Sequence, residues 1–328
     1  MMRFFNFLMA LGFAVVLLCA VSVGYSLWVF KAPGPLKSDS VVLIAPGSSS
    51  FDIAKTLERA GALSHETALL FPHLARLKGA ASSLKAGEYK VAAQSSAAEV
   101  MHILQSGKTV QRQITIAEGL TSVEVTALVN NASFMTGQII DIPAEGSLLP
   151  ESYAYVRGGN RKDMIQRMQK QMQATVDTLW QARVEGLPIK TKEDAVILAS
   201  IVEKETGIKG ERAKVAGVFI NRLRIGMPLQ SDPTVIYAMT RGKKKLGRKL
   251  YTKDLKRADP YNTYHINGLP PTPIANPGRA SLEAVLNPES HKYLYFVADG
   301  TGGHAFAKTL DGHNKNVAHW RKISKKVK

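Results

Sequence analysis

The stretch Thr191–Gly207, TKEDAVILASIVEKETG, decides how the second half of this chain is read. Thr191 with Asp194 three residues later is a capping-box-like start, an apolar run follows, and Gly207 supplies a stop. The spacing predicts a buried helix that carries two carboxylates, Glu203 and Glu205, at its tip. On a helix the neighbours lie three and four residues apart, so Glu205 sits over Ile201 and Val202, with Leu198 a turn further back, and continues the buried stripe. Glu203 sits over Ala199 and Ser200 and points about 200° away from Glu205 at ~3.6 residues per turn. A carboxyl in apolar surroundings has its charged form disfavoured, so it holds a proton near neutral pH, as a general acid must. The competing reading pairs both glutamates with Lys204, Lys209 and Arg212 on a solvated helix end. The helix alone leaves the two open.

Around this helix the pattern stays helical. KDMIQRMQKQMQATVDTLWQAR places Met164, Met168, Met172, Val176 and Leu179 on one face, a stripe that reads as core. ERAKVAGVFINRLRIG is a further amphipathic helix, and SDPTVIYAM begins another, with Asp232 as cap and Pro233 at the first helical position. A loop rich in Pro, Asn and Gly runs from Thr263 to Gly278, and YLYFVADG is a closing strand ahead of TGGHAFAKTLDGHNKNV. Upstream, VVLIAPGSSSFDIAKTLERAGAL reads as strand, turn and helix. SLKAGEYKV and SSAAEVMHILQSG repeat strand and capped helix, the latter stopped by Gly107, and QRQITIAEGLTSVEVTALVNNA gives strand, Gly turn and helix again. APGSSSFDIAKTL and AEGLTSVEVTALV share one outline, which suggests a short repeat.

The composition bounds the partners. With 328 residues and 45% hydrophobic content the chain holds a real core, and a formal net charge of +17 draws it toward something anionic. A single cysteine, Cys19, excludes an internal disulfide, and the eight histidines show no metal-ligand spacing. No metal and no cofactor are expected. From Phe4 to Phe30 no residue is charged, whereas ~20 apolar residues already span a bilayer core. The apolar region of a cleaved signal peptide runs only ~7–15 residues, so an uncleaved anchor is the expectation.

The expected organisation is α+β. Residues 1–30 form a membrane anchor with its span at about 5–30, 31–40 are a linker, 41–110 a small α/β module, and 111–328 a mixed α+β domain with a helical core. The strand, Gly turn, helix outline of residues 41–110 resembles the LysM-like modules that bind N-acetylglucosamine-containing glycans.

Five motifs carry a second and more specific resemblance: LLPESYAY, LASIVEKETG, VAGVFINRLRIGMPLQSDPTVIYAM, YNTYHINGLPPTPIANPG and YLYFVADGTGGHAFAKTLDGHN. In this order they resemble the endolytic murein transglycosylases of the YceG-like family over about residues 41–325. The resemblance implies cleavage of peptidoglycan strands between N-acetylmuramic acid and N-acetylglucosamine, with a 1,6-anhydromuramyl end and no water added. The family's catalytic glutamate falls on Glu205, in agreement with the helix face. Also implied are glycan strands and the inner membrane as partners, a peptidoglycan synthase as companion, and a single-pass topology with the N-terminus cytoplasmic and the catalytic domain periplasmic.

Residues expected to bind substrate are Glu151, Ser152 and Tyr153, where Glu151 stands in place of the family's commoner Asp; then Asn221, Gln230, Ser231, Asp232 and Thr234; Tyr261, Asn262, Thr263 and Tyr264; and His304. Each has a plain structural alternative, as a cap or turn residue or, for His304, as a structural histidine. Glu151 or Asp232 as a second carboxylate would make the protein a muramidase-type hydrolase instead, since paired carboxylates ~5–9.5 Å apart serve hydrolysis. A third possibility is a membrane-anchored murein-binding protein without activity. Nucleic acid is not an expected partner, because no readout element accompanies the positive charge. The stretch Arg241–Arg257, dense in Lys and Arg with Asp254 as its one acid, reads as a solvated loop face.

Overall fold

The structure, a computed structural model, describes residues 2–326. The chain divides into two compact units, one of Met1–Arg112 with Val156–Gly158 and one of Gln113–Tyr155 with Gly159–Lys328.

The first unit begins with helix α1 (Met2–Lys31), whose segment Phe4–Lys31 has a mean hydropathy of 2.5 and is long and apolar enough to cross a membrane. Only its end turns inward: Phe30 is fully buried and meets Phe71. Strand β1 (Ser40–Ile44) leads to helices α2 (Ser50–Arg59) and α3 (His65–Leu77), and strand β2 (Gly87–Val91) then pairs antiparallel with β1, Val42 opposite Tyr89. Helix α4 (Ala97–Ser106) completes the unit. Alternation along β1 puts Val42 and Ile44 into the core and Val41 and Leu43 outside, as a strand with one buried face requires. Ser49 with Asp52 and Ser96 with Glu99 form reciprocal capping boxes, and α4 stops at Gly107 in the left-handed conformation, φ 68°.

Strand β3 (Arg112–Thr115), in the second unit from Gln113 onward, and β4 (Ser152–Tyr155) form a two-stranded sheet, with α5 (Ser122–Asn130) between them in sequence. Long helix α6 (Arg161–Gln181) then serves two cores. Met164 and Met168 pack with Val125, Val129 and Tyr153, while Met172, Val176 and Leu179 pack on helix α7 (Lys192–Glu205). Helices α8 (Arg212–Arg224) and α11 (Arg279–Leu286) enclose α7 from other sides through Val215, Phe219 and Val285. Helices α9 (Asp232–Thr240) and α10 (Thr252–Leu255) lie between them in sequence. The chain closes with the hairpin β5 (Tyr295–Ala298) and β6 (His304–Ala307), Ala298 opposite His304, and helix α12 (Leu310–Lys326).

Helix α7 follows its sequence closely. The Thr191–Asp194 box forms at its start, and Leu198, Ile201 and Val202 are fully buried, each side chain contributing roughly 1.5–3 kcal/mol. Its end falls where expected, just ahead of Gly207, but not through a left-handed glycine: Thr206, extended at φ −139°, is the C-cap, its N–H bonded to the Val202 carbonyl, and Gly207 is not among the residues of positive φ. The start of α9 differs from the expectation: the cap is Ser231, and Asp232 is already helical.

Candidate active site

Glu205 is the last residue of α7, so the buried stripe delivers its carboxyl to the helix's C-terminal end. There it lines a cleft of about 470 Å³ together with Arg222, Gln230, Asp232, Tyr264, Tyr295 and His304. Burial pushes its pKa up to about 7; a hydrogen bond from Ser231 opposes the rise, the Asp232 charge adds to it, and His304 and Arg222 oppose it. The negative end of the helix dipole acts in the same direction as the burial. Glu205 is thereby poised near neutrality, where a carboxyl both gives and takes a proton.

Ser231 holds this carboxyl. Its Oγ donates to Glu205 Oε1 at 2.5 Å, and no side-chain cap bond is left for α9. Ser231 is itself locked: its N–H donates to Thr263 Oγ1 at 2.9 Å, and its carbonyl accepts from Thr234 Oγ1 at 2.6 Å. Thr234 and Thr263 share a 2.8 Å hydroxyl bond and are fully buried, so they support Ser231 from behind rather than facing a ligand. Gln230, whose N–H donates to the Thr263 carbonyl, sits at φ 52°. A left-handed glutamine is strained, and such strain gathers at functional sites.

Arg222 is a cleft residue that the sequence reading missed. Buried on α8, it donates through Nε to the Leu294 carbonyl at 2.7 Å and through Nη1 to that of Leu229 at 2.6 Å, and it lies over the Tyr295 ring. Its partners are carbonyls, so the positive charge is oriented without being neutralised. Tyr264 donates its hydroxyl to Asp232 Oδ1 at 2.7 Å, and burial with this carboxylate raises the phenol's pKa. His304, reached after two glycines, lines the cleft and bonds through Nδ1 to Glu211 Oε2 at 2.6 Å.

Glu203 goes elsewhere, as its helix face required. It forms an ion pair with Arg212 at 3.0 Å, accepts from the Gly278 N–H at 2.9 Å, and keeps its side chain only 4% exposed. Arg212 also reaches Glu118 at 2.9 Å. The pairing considered for both glutamates therefore holds for Glu203 with Arg212.

Several expected site residues lie away from the cleft. Asn221 donates to the carbonyls of His291 and Tyr293, tying α8 to the approach of β5. Asn262, fully buried, closes the loop by donating to the Leu255 and Arg257 carbonyls. Tyr261 packs on Tyr237 and bonds Thr272. Tyr153 is core, its hydroxyl on the Leu149 carbonyl. Glu151 and Ser152 line a different hollow beside Arg279, which leaves Asp232 as the carboxylate sharing a cleft with Glu205. Within the basic stretch, Arg248 clamps Asp254 at 2.7 and 3.1 Å, and Arg241 pairs with Asp259 at 2.7 Å.

Known proteins share this architecture. The model of the YceG-like family matches residues 42–319, and the chain belongs to that family. It is 34% identical over 317 residues to a protein of Bacillus subtilis (strain 168) named endolytic murein transglycosylase, covering 86% of each chain. A protein of Streptococcus pneumoniae (strain ATCC BAA-255 / R6) with the same name is 29% identical over 323 residues; these take in 84% of this chain but 57% of that protein. A YceG-like protein from Listeria monocytogenes, solved by crystallography, superposes with a TM-score of 0.53 at 30% identity, covering 85% of this chain and 99% of that one.

Proposed function

We propose that this protein is an endolytic peptidoglycan lytic transglycosylase that cleaves the β-1,4 bond between N-acetylmuramic acid and N-acetylglucosamine, with Glu205 as its acid. The observation that carries this is the placement of Glu205: a sheltered carboxyl at a helix end, held by Ser231 and titrating near neutrality. The names of the family relatives point to the same activity.

Protonated Glu205 gives its proton to the glycosidic oxygen as the bond breaks through an oxocarbenium-like state. The carboxylate so formed is stabilised by Ser231 Oγ and by the charge of Arg222. The muramyl C6 hydroxyl then attacks C1, and its proton returns to the cleft, regenerating the acid. Tyr264, Gln230 and His304 offer hydrogen bonds to the sugars from the cleft walls.

The strand–helix–helix–strand order of residues 40–91, followed by α4, supports a LysM-like glycan-binding role for residues 41–110, ahead of a catalytic domain at 111–328. The apolar α1 supports a single-pass anchor. Because murein lies outside the cytoplasm, the enzyme would keep its N-terminus cytoplasmic and its catalytic domain periplasmic at the inner membrane, beside a peptidoglycan synthase.

Asp232 in the same cleft favours one other reading, a hydrolase that uses a second carboxylate. Purified full-length protein in detergent, incubated with murein glycan strands, separates the two by the mass of the new end. Anhydromuramyl ends, one water lighter than reducing ends, are expected; reducing ends would replace the transglycosylase reading with hydrolysis.

A further inference from the structure

Six positions after Glu205, the turn Lys209–Glu211 presents Glu211 to the β5–β6 hairpin. The Glu211 carboxylate grips His304 twice: Oε1 accepts the backbone N–H at 3.0 Å, and Oε2 meets Nδ1 at 2.6 Å. Gly303 makes this approach possible, since a Cβ there would lie 2.9 Å from Glu211 Oε1 and 3.1 Å from Asp299 Oδ2. Phe296 meets the imidazole edge-on at 5.4 Å and fixes its plane. A carboxylate on Nδ1 makes that nitrogen the N–H side of the neutral ring and leaves Nε2 as an acceptor. Among the described residues Nε2 has no hydrogen-bond partner, and the ring lines the cleft that holds Glu205.

We propose that His304, oriented by Glu211, is a second proton-handling residue of this cleft, whose Nε2 takes the proton of the attacking sugar hydroxyl and returns it to Glu205. The identity of that hydroxyl, C6 of the muramyl residue, rests on the transglycosylase reading. The C1–O4 bond breaks as O4 takes the Glu205 proton; the C1–O6 bond forms as the O6 proton moves to Nε2. The imidazolium then passes this proton to the Glu205 carboxylate, and both groups end as they began. Such a relay suits a carboxylate already engaged by Ser231, whose bond weakens it as a first acceptor. Glu211 touches no substrate and acts as the positioning residue.

The titratable and charged groups around His304 are Glu211, which bonds its ring, and, along the same cleft, Glu205 on α7, Arg222 on α8, Asp232 on α9, Tyr264, Tyr295 on β5 and His313 on α12; Asp299 bonds the Gly303 N–H next to it, and Lys214 lies over the neighbouring Phe306 ring. Burial and then Arg222 lower the pKa of His313, so its variant is the control.

The test measures kcat and KM of the full chain on glycan strands across pH for wild type, His304→Gln, His304→Ala, Glu211→Gln and His313→Gln. His304→Gln is expected to lower kcat by about 100-fold with KM nearly unchanged and to erase the acidic limb of the kcat profile. Added imidazole restores His304→Ala, Glu211→Gln moves the acidic limb to lower pH, and His313→Gln leaves the limb in place. Anhydro ends from wild type, with an unaltered limb in His304→Gln or no imidazole rescue, overturn this proposal alone. Reducing ends or no product from wild type overturn the transglycosylase reading and this proposal with it.

Discussion

Ser231 donates its hydroxyl to Glu205 Oε1 at 2.5 Å and leaves helix α9 without a side-chain cap. A serine at an N-cap ordinarily accepts from the helix, a bond worth roughly 0.5–2 kcal/mol. Here that stabilisation is given up to hold the one carboxyl that closes α7. The substitution Ser231→Ala is accordingly expected to cost about 1–3 kcal/mol through the unsatisfied buried carboxyl rather than through a lost cap. Because the serine's bond lowers the pKa of Glu205, its removal moves the alkaline limb of the activity profile to higher pH. Paired thermal melts and pH–rate profiles check both; an unmoved limb would contradict the assignment.

Glu203→Gln should behave oppositely to Glu205→Gln. Removing the charge leaves the Arg212 guanidinium, 8% exposed, with only the half-exposed Glu118 as counter-ion. Breaking a buried pair costs about 3–5 kcal/mol, and the surviving partner reduces this to roughly 2–3 kcal/mol. Urea unfolding of the two variants gives the comparison, with Glu203→Gln expected to be clearly the less stable.

Glu205 makes stability depend on pH. Its folded pKa of about 7 stands above the unfolded 4.5, so the folded state binds the proton more tightly. That stabilisation is complete below the unfolded value and disappears as pH rises through about 7. A neutral isostere escapes this loss: Glu205→Gln is expected to be more stable than wild type at pH 8, by about 1–3 kcal/mol, and close to it at pH 5. Melting temperatures at the two pH values test the sign.

The cleft was legible in the sequence only where it follows a local period. Glu205 could be told from Glu203 because α7 is a regular helix and a 3.6-residue repeat assigns faces. The Met stripe of α6, the capped helix α4 and the box at Thr191 were legible for the same reason. Ser231 was named but not its partner, since the bond joins residues 26 apart and no local rule relates them. Arg222 and Glu211 were missed because their roles come from carbonyls of the β5 approach and from a hairpin 93 residues away. Helix α3 went unread because Pro72 lies inside it and looks like a breaker, although Ser64 caps it properly. Asn221, Asn262 and Tyr261 resemble sugar ligands in type, yet carbonyls and neighbours packed in the fold occupy them.

Arg222→Lys tests the oriented cation. Lysine keeps the charge but lacks the fork that spans the Leu229 and Leu294 carbonyls. Activity should fall by about 10-fold or more, and the alkaline limb should move upward as the carboxylate of Glu205 loses a fixed positive neighbour. Equal profiles for the two proteins would remove Arg222 from the account.

The central claim is that Glu205 supplies the proton. Its most direct test is the rate of bond cleavage by full-length wild type and Glu205→Gln on the same glycan strands at pH 6 to 8, with melting curves run in parallel. Cleavage by wild type that falls above about pH 7, and a folded Glu205→Gln variant slower by a factor of about 1,000 or more, is the predicted result. A folded Glu205→Gln variant that cleaves at the wild-type rate would contradict it.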